Sequence, residues 1–171
     1  MLTKKSKILG LTLVFPRTNF LDKRGQYIES FNKKSYNKLF NSNFIEDDFS
    51  INKKNVFRGI HGDKKTWKLF SCVHGKCESI IVNCKLDSKN FGKWEKFIIS
   101  PRNYFQILIP PSYGNSFLVL SNFAVCHYKQ TEYYKGMKKQ FSYNYKDPKF
   151  NLKLTCAKPI LSDRDKNSKF I

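Results

Sequence analysis

Three histidines, His61, His74 and His127, are the side chains of this 171-residue chain best suited to moving protons near neutral pH. Their spacing lacks the HxH-plus-Glu ligand pattern of a metal-binding β-barrel. The five cysteines, Cys72, Cys77, Cys84, Cys126 and Cys156, form no CxxC pair. No metal is therefore expected. The cysteines read as small buried hydrophobes, four of them in strand-like runs, with a catalytic thiol as the sharper alternative. The sequence contains no glycine-rich phosphate loop, no GxSxG elbow and no dinucleotide fingerprint. Catalysis would fall to His, Tyr, Lys and carboxylates. His61 follows Arg58-Gly59-Ile60 at the end of an apolar run, where a lone histidine would ordinarily be an exposed turn residue.

The elements that would hold such groups are short. Apolar runs over 8–15, 56–60, 68–73, 79–85, 94–99, 104–109, 116–120 and 124–129 read as strands. Gly75, Asp87-Ser88, Pro101-Arg102-Asn103 and Pro110-Pro111 separate them as turn signals. Strands at about 10-residue spacing with Gly and Pro between them indicate a sandwich or barrel. One helix is expected near Asn32 to Phe40 and a second, short one after Ser162. There is no internal repeat and no linker, so residues 1–171 read as a single all-β domain.

Charge is the unusual feature. Lys plus Arg number 32 against 13 Asp plus Glu, a net +19. That excess raises the question of a polyanionic partner. The basic residues, however, run from Lys4 to Lys169 without forming a block, and many adjoin Asn, as in Asn32-Lys33-Lys34. A nucleic-acid module would need them clustered among exposed aromatics, so no nucleic acid is expected as partner. No run approaches the roughly 20 apolar residues that span a bilayer, and Met1 to Gly10 lacks the apolar core of a secretory signal. The expectation is a cytoplasmic protein with no membrane partner.

Several motifs recur together in order: Asp22-Lys23-Arg24-Gly25, Arg58-Gly59-Ile60-His61, Lys68-Leu69, Phe91-Gly92-Lys93-Trp94, Tyr128-Lys129, Tyr133-Tyr134, Asp147-Pro148 and Leu161-Ser162-Asp163-Arg164-Asp165. From about Lys7 to Lys166 the chain resembles the dTDP-4-dehydrorhamnose 3,5-epimerase family. A narrower likeness, carried by Arg58-Gly59-Ile60-His61-Gly62-Asp63, Lys93-Trp94-Glu95-Lys96 and Gly114-Asn115-Ser116, is to the GDP-4-keto-heptose epimerases of bacterial capsule pathways. Those enzymes act after a dehydratase and before a reductase.

The resemblance implies a double-stranded β-helix (jelly-roll or cupin) barrel with a few short peripheral helices, working without a cofactor. It implies His61 as the base that removes a proton beside the C4 ketone. Asp165 would orient that imidazole, Lys68 would face the enolate oxygen, and Tyr128 would protonate the opposite face. By residue type alone Lys68 would be one more surface lysine, though its place after Trp67 in an apolar strand argues for burial. Arg58 and Arg24 would grip the diphosphate, and Tyr134 and Asn115 would lie near the sugar. Tyr27 and Glu29 would reach into a neighbouring subunit, which implies a homodimer with exchanged N-terminal strands. The substrate would be a nucleoside-diphosphate sugar, GDP in preference to dTDP.

Departures from the rhamnose-pathway pattern are specific. Asn115 stands in place of a second histidine and Ser79 in place of that histidine's aspartate; Glu46 and Asp48 replace Gln and Asn. The heptose branch carries a histidine where Phe117 stands. These changes bear on the sugar and on stereochemistry more than on the base. C3 inversion is expected, and C5 inversion is left open. Two other readings keep the barrel: a 3,4-ketoisomerase, and a nucleotide-sugar-binding protein without catalysis.

Overall fold

A computed structural model describes residues 1–171, apart from the side chain of Asn19. Thirteen strands dominate: β1 Leu2–Lys5, β2 Thr12–Phe15, β3 Arg17–Asp22, β4 Gly25–Glu29, β5 Glu46–Lys53, β6 Phe57–Gly62, β7 Lys68–His74, β8 Cys77–Asn83, β9 Trp94–Ile99, β10 Gln106–Ile109, β11 Tyr113–Val119, β12 Phe123–Gln130 and β13 Phe141–Ser142. Two one-turn helices, α1 Lys33–Tyr36 and α2 Asp163–Lys166, complete the set with a 3-10 turn at Met137–Lys139. The all-β barrel is as expected. The helix anticipated over 32–40 is shorter, starting at the Asn32 cap and ending after Tyr36.

The strands form a six-stranded sheet in the order β1-β2-β10-β7-β12-β5 and a five-stranded sheet in the order β13-β6-β11-β8-β9. Every pairing between named strands is antiparallel. The hairpin β3-β4 pairs with neither. Side chains alternate across each strand, and that alternation builds the interior. Phe70 and Cys72 of β7, Cys77 and Ile81 of β8, Phe117 of β11 and Cys126 of β12 share one core between the sheets.

The opposite faces are covered as well, which explains why β7 and β8 read as unbroken apolar runs. Leu69 packs with Tyr36 and Phe40 under the α1 segment. Ile80 and Val82 pack with Tyr143 and Phe150 of the C-terminal segment. Burying one such side chain stabilises the fold by about 1.5–3 kcal/mol.

Five strands lie outside the expected set: β1, β3, β4, β5 and β13. β5 inverts the usual pattern. Its apolar residues Phe49 (70 % exposed) and Ile51 (67 % exposed) face outward, while Asn52 is buried. No helix of the described residues is long and apolar enough to cross a membrane.

Candidate active site

His61 lies near the end of β6, where its Cα pairs with Asn115 of β11 on one side and Ser142 of β13 on the other. Gly59, two residues earlier, permits this close packing. Its φ of +132° suits glycine, and a Cβ there would overlap the backbone and side chain of Ser116. Any larger residue would push β6 away from β11.

The His61 Nε2–H donates to Asp165 Oδ1 at 2.5 Å, across 104 residues of sequence. A carboxylate can only accept here, so Nε2 carries the proton and Nδ1 is left as the ring's acceptor. Asp165 is 2 % exposed. Its other oxygen accepts from the Ser162 hydroxyl at 3.0 Å, and the Asp165 N–H donates back to Ser162 Oγ at 3.2 Å. Ser162 caps α2, so one serine both starts the helix and fixes the carboxylate. Arg164 anchors the same turn to the barrel, donating to Ser142 Oγ at 2.8 Å and Gln140 Oε1 at 3.1 Å.

Lys68 opens β7 beside Gln130 of β12 and is 8 % exposed. Burial pulls its pKa below the usual 10.5, an effect opposed by the nearby charge of Asp63. Lys68 belongs to none of the ion pairs found among the described residues. Its charge is therefore available to a ligand.

Tyr128 packs its ring against Phe70, centroids 4.9 Å apart, and its oxygen accepts from Asn115 Nδ2 at 3.1 Å. Burial drives the phenol well above its ordinary pKa, with the Asn115 hydrogen bond acting in the opposite direction. The group is held as a proton donor. Asn115 is buried, and its Oδ1 has no partner. It thus stands between base and phenol with an unused acceptor.

The departures noted in the sequence lie on neighbouring positions. Phe117 is fully buried and stacks on Phe70 at 5.7 Å. Ser79 is its cross-strand partner and donates weakly to Ser116 O at 3.5 Å.

The remaining expected residues divide. Arg58 is exposed on β6, three residues before His61, and its Nε donates to Asn52 Oδ1 at 2.7 Å. Tyr134 follows β12, and its N–H donates to the Glu46 carboxylate at 2.9 Å. It lines a groove of about 520 Å³ together with Asp63, Gln130 and Phe141. That groove runs along the rim rather than over the dyad: Phe141 pairs with Gly62, and Gln130 with Lys68.

Arg24, Tyr27 and Glu29 are elsewhere, on the β3-β4 hairpin. Arg24 is ion-paired with Asp22 at 2.6 Å, both exposed, and Tyr27 is 65 % exposed. Glu29 accepts from Asn32 Nδ2 at 3.4 Å. One chain alone does not bring these three to His61.

Sequence reasoning started a helix after Ser162 without tying that serine to Asp165, and it missed Gln130. Ser162 stands three residues before Asp165, the capping spacing that marks a helix start, and that signal could have identified it. Gln130 carried none.

A carboxylate-backed histidine, a tyrosine hydrogen-bonded to the residue paired with that histidine across the strands, and a buried ammonium are the groups a barrel would need to move protons on and off carbon beside a carbonyl. A profile of the dTDP-4-dehydrorhamnose 3,5-epimerase family matches residues 5–171. The dTDP-4-dehydrorhamnose 3,5-epimerase of Escherichia coli K12 is 36 % identical over 135 residues, covering 76 % of this chain and 72 % of the relative. That of Shigella flexneri is 33 % identical over 165 residues, covering 93 % and 91 %. The crystal structure of dTDP-6-deoxy-D-glucose-3,5-epimerase from Legionella pneumophila, in complex with dTDP-4-keto-L-rhamnose, superposes with a TM-score of 0.91 at 32 % identity, covering 98 % of this chain and 91 % of that one. The chain belongs to the dTDP-4-dehydrorhamnose 3,5-epimerase family, and it is an isomerase of the class that works on 4-keto nucleotide sugars.

Proposed function

We propose that this enzyme inverts C3 of a 4-keto nucleoside-diphosphate sugar by exchanging the proton beside the ketone. The observation that carries the reading is the His61–Asp165 hydrogen bond at 2.5 Å inside the same barrel as the Asn115–Tyr128 pair. His61 Nδ1 takes the carbon-bound proton, and the electron pair moves onto the carbonyl oxygen. Asp165 stabilises the imidazolium that results. Lys68 faces the enolate oxygen, where an ammonium in a water-poor site counts for more than in solvent. Tyr128 returns a proton to the opposite face, and its phenolate keeps the Asn115 hydrogen bond. C5 inversion would repeat these steps after the sugar ring turns.

Arg58 is the phosphate group's partner from within the chain. Arg24, Tyr27 and Glu29 act in a second subunit's site. An unpaired hairpin that exposes Phe20, Leu21 and Tyr27 supports that exchange and a homodimer. For the base we favour guanine and for the sugar a heptose. Glu46 and Asp48 place two carboxylates near Gln130 at the rim, accepting from its amide at 3.0 and 2.7 Å. Such acceptors suit the donor-rich N1–H and N2–H₂ edge of guanine better than thymine, which offers one N–H. The reaction belongs in the cytoplasm, after a dehydratase that makes the ketone and before a reductase that removes it.

Incubation in deuterated water with dTDP- and GDP-4-keto sugars, read by NMR, tests this. Deuterium at C3 is the expected result, faster with GDP-4-keto-heptose. No exchange with any of these sugars would leave a binding protein that does no chemistry.

A further inference from the structure

The mechanism leaves one cluster of reactive side chains unused. Cys72 of β7, Cys126 of β12 and Cys77 of β8 converge inside the barrel, their three sulfurs all within 4.8 Å of one another. They come from both sheets: Cys72 and Cys126 are directly paired across β7 and β12, whereas Cys77 enters from the facing sheet. Cys72 and Cys77 flank the His74-Gly75-Lys76 turn, which brings them back onto one another. All three are buried and none is bonded to another. The cluster lies four residues along β7 from Lys68, about 13 Å at the rise of a strand, and two residues along β12 from Tyr128, so it borders the phenol without including any of the groups the mechanism uses.

We infer that Cys72, Cys77 and Cys126 form a three-sulfur site for a thiophilic d10 cation, monovalent copper above all. A cation about 2.3 Å from each sulfur in a trigonal plane needs sulfurs about 4.0 Å apart, so the widest pair here must close by no more than about 0.8 Å. No fourth His, Cys or carboxylate joins the group among the described residues. Zinc almost always takes four ligands in structural sites, whereas soft thiolates without a fourth donor suit copper(I). Cys72 Sγ now donates to the His74 carbonyl at 3.1 Å, a bond it exchanges for the metal. On binding, each thiol gives its proton to solvent: one cation and three thiols yield one tris-thiolate and three protons, with no change of oxidation state.

The test uses the full-length, reduced protein under anaerobic conditions. Cadmium(II) serves as the spectroscopic probe, and copper(I) competes for the site against a chromophoric chelator. The expected result is a sulfur-to-cadmium ultraviolet band saturating at one equivalent, release of about three protons, a higher Tm, and copper(I) bound more tightly than zinc(II). Cys77→Ser weakens binding by more than the roughly 10–100-fold that loss of an outer-shell partner costs. Cys84→Ser and Cys156→Ser leave it unchanged. X-ray absorption on the unsubstituted protein counts sulfurs around copper, which decides the matter if Cys77→Ser does not fold. Fewer than three sulfurs, no band at one equivalent, or zinc bound as tightly as copper would overturn the assignment. Deuterium exchange by the metal-free enzyme is read separately, so failure here leaves the epimerase reading standing.

Discussion

The two ends of the barrel interior are built from the same strands yet do opposite things. At one end β7 and β12 present Lys68 and Gln130, with Tyr128 next inward against Phe70; four residues from that end they present Cys72 and Cys126 in one core with Phe70 and Phe117. The first end keeps polar groups under-used: an ammonium without an ion-pair partner and an amide oxygen with no hydrogen bond. The second is close-packed and apolar. Lining one end with unsatisfied groups carries a cost in stability, which the packed end offsets. Substitutions at the mouth should therefore cost rate, and those deeper should cost stability.

His61→Asn separates the two ends most strongly. It should slow deuterium exchange by about 10³–10⁴-fold while leaving the unfolding midpoint nearly unchanged. Exchange at the normal rate would remove the proposed base. Phe117→Ala should do the reverse, lowering unfolding free energy by about 3–5 kcal/mol in a denaturant titration while exchange changes by less than about tenfold. A variant that keeps its stability but loses exchange would make Phe117 part of the mouth.

Lys68→Met should cost about 10²–10³-fold in kcat/KM, the scale of losing one oxyanion donor. Asp165→Asn should also slow exchange, because the amide can hold the wrong tautomer while the barrel stays folded. The smallest effect is on pH. The ammonium is the working form of Lys68, and burial lowers its pKa. Exchange should therefore fall as pH rises through a value below 10.5, the ordinary lysine position, and Lys68→Arg should move that limb upward. An alkaline limb unmoved in Lys68→Arg would mean another group controls it.

Legibility followed the direction of side chains. β7, β8, β9 and β12 could be read within two residues of their ends because their apolar residues run toward one core or the other. β5 could not. It turns Phe49 and Ile51 to the outside and Asn52 inward, so hydrophobicity gives its pattern reversed. Among its described side chains the β3-β4 hairpin buries none within one chain, and nothing in its composition demands pairing. In the site, residue type made His61 one of three candidates and the family likeness singled it out, since no periodicity links it to a carboxylate 104 positions later. The family likeness supplied Asp165, and the fold accounts for it through the Ser162 cap. The convergence of three cysteines from two sheets was beyond reach, since their spacings of five and 49 residues follow no ligand pattern.

Because α2 is the element that carries Asp165, the order of synthesis has a chemical meaning. His61 and all thirteen strands leave the ribosome before the turn that orients the imidazole. Only when residues 162–165 fold against Ser142 and Gln140 does the imidazole acquire a direction. The last short helix thus supplies the carboxylate that sets the orientation of a ring placed 104 residues earlier.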